Sequence, residues 1–265
     1  MRKNIYRNDY LNEISFPLGG IGTGSIGLAG NGSLIDWEIF NCANKNSLQQ
    51  YTHFAIKAER DGTLLDARVL SGDSTKYYSG RPRLNYGHGM SNWTLVGFPH
   101  FRNCEFRGEF PLANIKLQEP DFPGTVQLTA FNPFIPLNAD DSGIPAAFFS
   151  YSVQNITSEP VEYTISASIR NPRNNSVNTA VSEDNFSAVY LNSADNQLND
   201  PAYCEITVAS DETYNTAFQE YWFRGMWYDN IETYWRNFTT PSLPEPRTYD
   251  APGNNDVASL YVRKT

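Results

Sequence analysis

The residue types able to carry chemistry are few and scattered. The most visible are the neighbouring carboxylates Asp140 and Asp141, inside FNPFIPLNADDSGIPAAFFSYSVQN from Phe131 to Asn155. Cleaving a glycosidic bond takes two carboxyl groups, an acid and a nucleophile or base, facing each other across the bond. Neighbours in a proline-punctuated loop do not face each other that way. A cap or turn ahead of Ile144-Pro145 accounts for the pair more simply. Asp36 and Glu38 lie two apart, on one face of a strand, where a solvated edge accounts for them equally well. Gly22-Thr23-Gly24-Ser25-Ile26-Gly27 spells GxGxxG, yet a dinucleotide fingerprint needs a strand before it and a helix after it to hold the pyrophosphate. Here Pro17 interrupts the lead-in, and Asn31-Gly32 follows between strand-like runs, a type I′ hairpin signal. The glycines therefore read as close backbone approach at the start of a hairpin. There is no Gly-x-Ser-x-Gly elbow and no Cys/His signature of a nucleophilic site.

Metal and redox chemistry fare no better. Cys42, Cys104 and Cys204 are widely spaced and odd in number, which fits free thiols packed as small apolar residues. With His53, His88 and His100 as the only histidines, a histidine-rich metal site is not expected. The residues give no catalytic constellation, no metal site and no cofactor.

The elements that would position these residues are strands. Over 265 residues the chain is 40% hydrophobic, 18% charged and 14% aromatic, enough to bury a core and weighted towards residues that suit half-buried sheets. A formal net charge of −9 disfavours a nucleic-acid partner. No span has the apolar length of a transmembrane helix, and residues 1–15, which read as an arm, lack the apolar core of a signal peptide. The compartment, cytoplasmic or periplasmic, stays open.

Phe54 to Arg60 alternates, and Asp61-Gly62 turns it back into TLLDARVL. Residues 71–92 are polar and glycine-rich, a long loop carrying His88 and leading to Trp93, where an aromatic ring could stack on a sugar or simply pack the loop. Ala113, Ile115 and Leu117 alternate with polar residues, as do Val126, Leu128 and Ala130. Ala146 to Phe149 is apolar at successive positions and predicts a strand covered on both faces. The period of two from Val161 to Ile169 predicts another, with Glu162, Thr164, Ser166 and Ser168 on the opposite face, and these two strands, if they pair, are the centre of the domain. Shorter strands are expected at Ser187–Leu191, Cys204–Val208 and Val257–Val262. Residues 211–240 are dense in aromatics. The spacings Phe218/Trp222 and Ile231/Trp235 predict one or two short helices. Without strand–helix alternation or repeats, the expected fold is all-β: one large antiparallel β-sandwich over residues 16–265, supersandwich-like, with long loops.

Phe16–Gly27 and Phe131–Asn155 resemble one family, the non-lysosomal glucosylceramidase or bile-acid β-glucosidase family (glycoside hydrolase family 116). PLGGIGTGSIG is followed by a hairpin and the aromatic–acidic pair Trp37-Glu38. FNPFIPLNADDSGIPAAFF and YSVQNITSEPVEYTISAS are also similar, and the likeness spans most of residues 16–170. The resemblance implies a two-domain retaining β-glycosidase in which an N-terminal sandwich packs on a C-terminal (α/α)6 domain holding the nucleophile and the acid/base. It implies that this chain ends within the sandwich, that the catalytic domain lies outside it, and that no catalytic residue carries over. The substrate of the full enzyme would be a carbohydrate or glycolipid. Asp140, Asp141, Trp37, His88 and Trp93 are the candidates for contact with substrate or partner domain. Two other readings compete: a stand-alone carbohydrate-binding module using Trp93 or Trp222, and a purely structural sandwich.

Overall fold

The structure, a computed structural model, describes residues 4–73, 95–200, 203–226 and 229–265. The described residues are mostly strands in antiparallel sheets with few short helices, so the all-β expectation holds. They form two compact units, Met1–Gln49 with Arg68–Ser158, and Gln50–Ala67 with Glu159–Thr265.

The first unit contains β1 (Ile5–Arg7), β2 (Ser15–Leu18), β3 (Ser25–Ala29) and β4 (Leu34–Glu38). After the strands of the second unit's hairpin, β5 (His53–Arg60) and β6 (Thr63–Val69), it resumes with β7 (Asn103–Glu109), β8 (Leu112–Gln118), β9 (Gly124–Phe131) and β10 (Phe148–Asn155). Its larger sheet runs β1-β7-β8-β9-β10, and its smaller one β2-β3-β4. The period of two on β8 and β9 puts Ala113, Ile115, Leu117, Val126, Leu128 and Ala130 inside, as the alternation predicts. Leu18 and Leu28 of the small sheet are buried too, and the Phe16 ring lies 6.3 Å from that of Phe106 on β7. These contacts make a two-layered core.

The second unit adds β11 (Glu162–Arg170), β12 (Ser176–Ser182), β13 (Ser187–Ser193), β14 (Ile206–Ser210), β15 (Thr216–Gln219) and β16 (Val257–Lys264). One sheet runs β15-β16-β11-β5-β6 and the other β12-β13-β14.

Two expectations need correction. The strand containing Phe148 does not pair with the one from Glu162. β10 pairs with β9 at the edge of its sheet, while β11 lies between β16 and β5. Nor is β10 covered on both faces, since Phe148 is exposed and Phe149 half-buried. Successive apolar residues there make a lip rather than a core. On β11 the alternation is real, but its hydroxyl-bearing side, Thr164, Ser166 and Ser168, is fully buried. The reason is α2 (Asp229–Thr239), whose Ile231, Tyr234 and Phe238 form the buried stripe that a helical period produces. Burying Ile231 and Phe238 contributes about 1.5–3 kcal/mol each. Tyr234 brings its hydroxyl to 3.1 Å from Ser166 Oγ, so the sheet's polar groups are satisfied beneath an aromatic helix face. Phe218 and Trp222 are not helical. Phe218 sits on β15 and Trp222 just after it, stacked 4.0 Å from Tyr234.

Candidate functional site

The two segments that carry the family resemblance meet in the first unit. The side chain joining them is Asn132, one residue past β9 and buried. Its Oδ1 accepts from Gly19 N at 2.6 Å, and its Nδ2 donates to the Pro17 carbonyl at 2.9 Å. One amide thus holds both sides of the turn leaving β2. Ile21 N donates to the Ser142 carbonyl at 2.8 Å. Gly20 is pressed so close that a Cβ there would lie 2.4 Å from the Ile144 carbonyl oxygen and 2.6 Å from that of Gly143. No side chain fits between the two backbones.

The segment from Ile135 to Ile144 is itself braced. Ser142 Oγ donates to the Ile135 carbonyl and accepts from Ile135 N, both at 2.9 Å. Asn138 caps the single turn α1 (Ala139–Ser142): its Oδ1 accepts from Asp141 N at 3.1 Å, and its Nδ2 donates to Asp141 Oδ2 at 2.6 Å. Asp140 and Asp141 therefore occupy the first turn of α1, where carboxylates complement its free N–H groups. Both are exposed, and Asp141 is committed to the cap. The turn reading of this pair matches the geometry.

Around this braced backbone the apolar side chains point outward. Ile21 is 57% exposed, Leu137 109%, Ile135 48% and Ile144 43%. Leu137 takes a left-handed backbone conformation, φ 66°, which places its side chain at the tip. Four aliphatic residues are thus left exposed on one hydrogen-bonded loop cluster.

Trp37 does not join this surface. It is buried on β4, its backbone N–H donating to Ser47 Oγ at 2.7 Å and its backbone carbonyl accepting from Asn44 Nδ2 at 3.1 Å. Asp36 and Glu38 do not work as a pair. Asp36 is buried, accepting from Ser15 Oγ at 2.7 Å and Asn46 N at 2.6 Å, while Glu38 pairs with Lys45 at 2.5 Å. His88 and Trp93 lie outside the described residues. The glycine motif leads from β2 into β3 rather than into a helix, which removes the dinucleotide reading.

His53 and His100 are held in hydrogen bonds within the fold. His53 Nδ1 donates to the Tyr51 carbonyl at 2.8 Å, which leaves Nε2 to accept from the Tyr234 hydroxyl at 2.9 Å. His100 is bound by Ser71 and the Leu95 carbonyl, and burial lowers its pKa below the usual histidine value. Burial pushes the Cys104 thiol up to about 12, which disfavours the thiolate at neutral pH. Among the described residues no group of three or more His, Cys, Asp and Glu side chains can hold a metal ion.

The comparison with known families decides the reading. The family model described as beta-glucosidase 2, glycosyl-hydrolase family 116 N-term, matches residues 15–265. The chain belongs to this family. The family 116 match runs well past residue 170, taking in α2 and β16 as well as the two locked segments. In family 116 terms this is the N-terminal part of a glycoside hydrolase, which implies a catalytic domain elsewhere. Sequence reasoning singled out Asp140 and Asp141 and missed Asn132, Gly20 and Ser142. Asn132-Pro133 directly after an alternating strand was the available signal, but its partner lies 113 positions away.

Proposed function

We propose that this chain is the non-catalytic N-terminal β-sandwich domain of a retaining β-glycosidase. The reacting carboxylates belong to a C-terminal helical domain, and the intact enzyme acts on a β-glucoside, carbohydrate or glycolipid. The family match over residues 15–265 carries the reading. The locked loops supply the means: Ile21, Ile135, Leu137 and Ile144 are the residues that dock the helical domain and shape the approach to its active site. Asp140 and Asp141 rim that contact, where rim charges govern encounter more than affinity.

Chemistry alone separates this reading from a self-sufficient enzyme. The chain by itself is expected to give no turnover of an aryl β-glucoside. Supplying a family 116 helical domain in trans restores turnover, and Leu137→Asp or Ile21→Asp abolishes the restoration while leaving the fold intact. Turnover by the chain alone, lost on substitution of one of its own carboxylates, would overturn the proposal.

A further inference from the structure

A hollow of about 280 Å³ lies where the chain enters β12 and leaves β13, lined by Pro172, Arg173, Asn174, Ser193 and Asp195. Sites for drug-sized ligands run from ~300 to ~1,000 Å³, so this one suits a small metabolite. All five residues belong to the second unit, and none to the docking loops.

The walls are held from behind. Asn171, fully buried, anchors the entering segment. Its Nδ2 donates to Asn178 Oδ1 at 2.9 Å and to the Asn192 carbonyl at 2.7 Å, and its Oδ1 accepts from Arg173 N at 2.9 Å. Ser193 Oγ donates to the Asn174 carbonyl at 2.7 Å and accepts from Asp195 N at 3.1 Å, which ties one wall to the other. Asn175 Nδ2 donates to Asp195 Oδ2 at 2.9 Å, fixing that carboxylate while leaving Oδ1 open. Walls set before a ligand arrives reduce the ordering cost of binding.

Two opposite charges line this hollow without neutralising each other. Among the described residues, neither Arg173 nor Asp195 belongs to a salt bridge. The half-buried Arg173 guanidinium makes one side-chain hydrogen bond, from Nη2 to Asn196 Oδ1 at a long 3.3 Å. Its remaining N–H groups have no acceptor among the described residues, and the Asn174 side-chain amide is likewise uncommitted. A partly desolvated charge is stabilised most by a group of opposite sign that bonds it directly.

We infer that the hollow binds a small zwitterion, a free α-amino acid, with its carboxylate on Arg173 and its ammonium on Asp195. The lining disfavours simpler ligands. An anion meets the Asp195 carboxylate, and a cation meets the Arg173 guanidinium. One carboxylate beside a guanidinium does not make a site for a hard metal ion. Pro172 is the one apolar residue of the five, and no aromatic ring is among them, which leaves little for an apolar molecule or a stacked sugar ring to cover. The Asn174 amide suits a side chain that is polar and uncharged, as in glutamine. The inference does not depend on the family reading.

NMR titration of the whole, isotopically labelled chain with L-glutamine tests it. Saturable shifts of the Asn174 and Asp195 amides are expected, with a dissociation constant on the order of 1 mM, the scale of two charge-assisted contacts. N-acetyl-L-glutamine lacks the ammonium and L-glutaminamide lacks the carboxylate, and each binds at least about tenfold more weakly. Arg173→Ala and Asp195→Ala each weaken L-glutamine about tenfold, while Arg173→Lys retains part of the affinity. Unchanged melting of the variants excludes unfolding as the cause, and added salt weakens binding by the parent chain. The inference is overturned by the absence of saturable shifts at these amides, by blocked analogues that bind as well as L-glutamine, or by binding indifferent to both alanine variants. Binding of the N-acetyl compound undiminished, with loss of L-glutaminamide alone, would make the hollow an anion site and overturn it too.

Discussion

The loop cluster of the first unit and the helix-covered sheet of the second solve opposite problems. Beneath α2, polar groups are buried and every contact serves to satisfy them: the Ser166 and Ser168 hydroxyls, His53, and the ion pair of Lys57 with Glu59 at 3.1 Å. Lys57 Nζ also donates to the carbonyls of Thr240 at 2.8 Å and Ser242 at 2.6 Å, just past the end of α2, where a positive charge complements the helix terminus. Burial nonetheless pushes the Lys57 pKa below the usual lysine value. In the loop cluster, backbone groups are satisfied and aliphatic side chains are left in solvent. Order without covered apolar surface is what a docking element requires, and order with covered polar surface is what a core requires.

This contrast can be broken or sharpened by substitution. The largest effect is expected from Glu59→Ala, which leaves Lys57 buried without its counter-charge. Denaturant unfolding should register a loss on the order of 3–5 kcal/mol. A loss under about 1 kcal/mol would mean that the second unit's polar core is not what holds α2. Next comes Gly20→Ala, whose methyl group meets two carbonyl oxygens at under van der Waals distance. About 1–3 kcal/mol is expected, together with lost assembly with a helical domain. Asn132→Ala should follow at about 1–3 kcal/mol, because the Gly19 N–H and the Pro17 carbonyl lose their partner. Leu137→Asp should change stability by about 0.5 kcal/mol or less, since its side chain is fully exposed, yet abolish assembly. A variant with the reverse behaviour, unstable but assembling, would place the contact elsewhere.

Much of the strand content was legible because the period of two is local. β8, β9 and β11 were all marked by alternation, and Asp61-Gly62 by its turn chemistry. Which strands pair was not legible. Ala146–Phe149 looked like the covered neighbour of Val161–Ile169, but pairing depends on β5 and β16, the latter entering some ninety residues after β11. That the hydroxyl-bearing side of β11 is buried was not legible for a related reason. Serine and threonine read as solvated until α2 brings a tyrosine to bond them. At the site, the Asp140-Asp141 turn was legible from the proline-flanked loop. The lock was not, because Asn132, Gly20 and Ser142 each look unremarkable until three separate segments converge.

The close approach at Gly20 has a practical corollary. The turn after β2 and the segment holding α1 fit only as a matched pair, so neither can be lengthened, shortened or exchanged alone. A chimaera between family members should therefore carry both segments from the same parent. Grafting one without the other would bring a foreign loop against a carbonyl wall shaped for a different backbone.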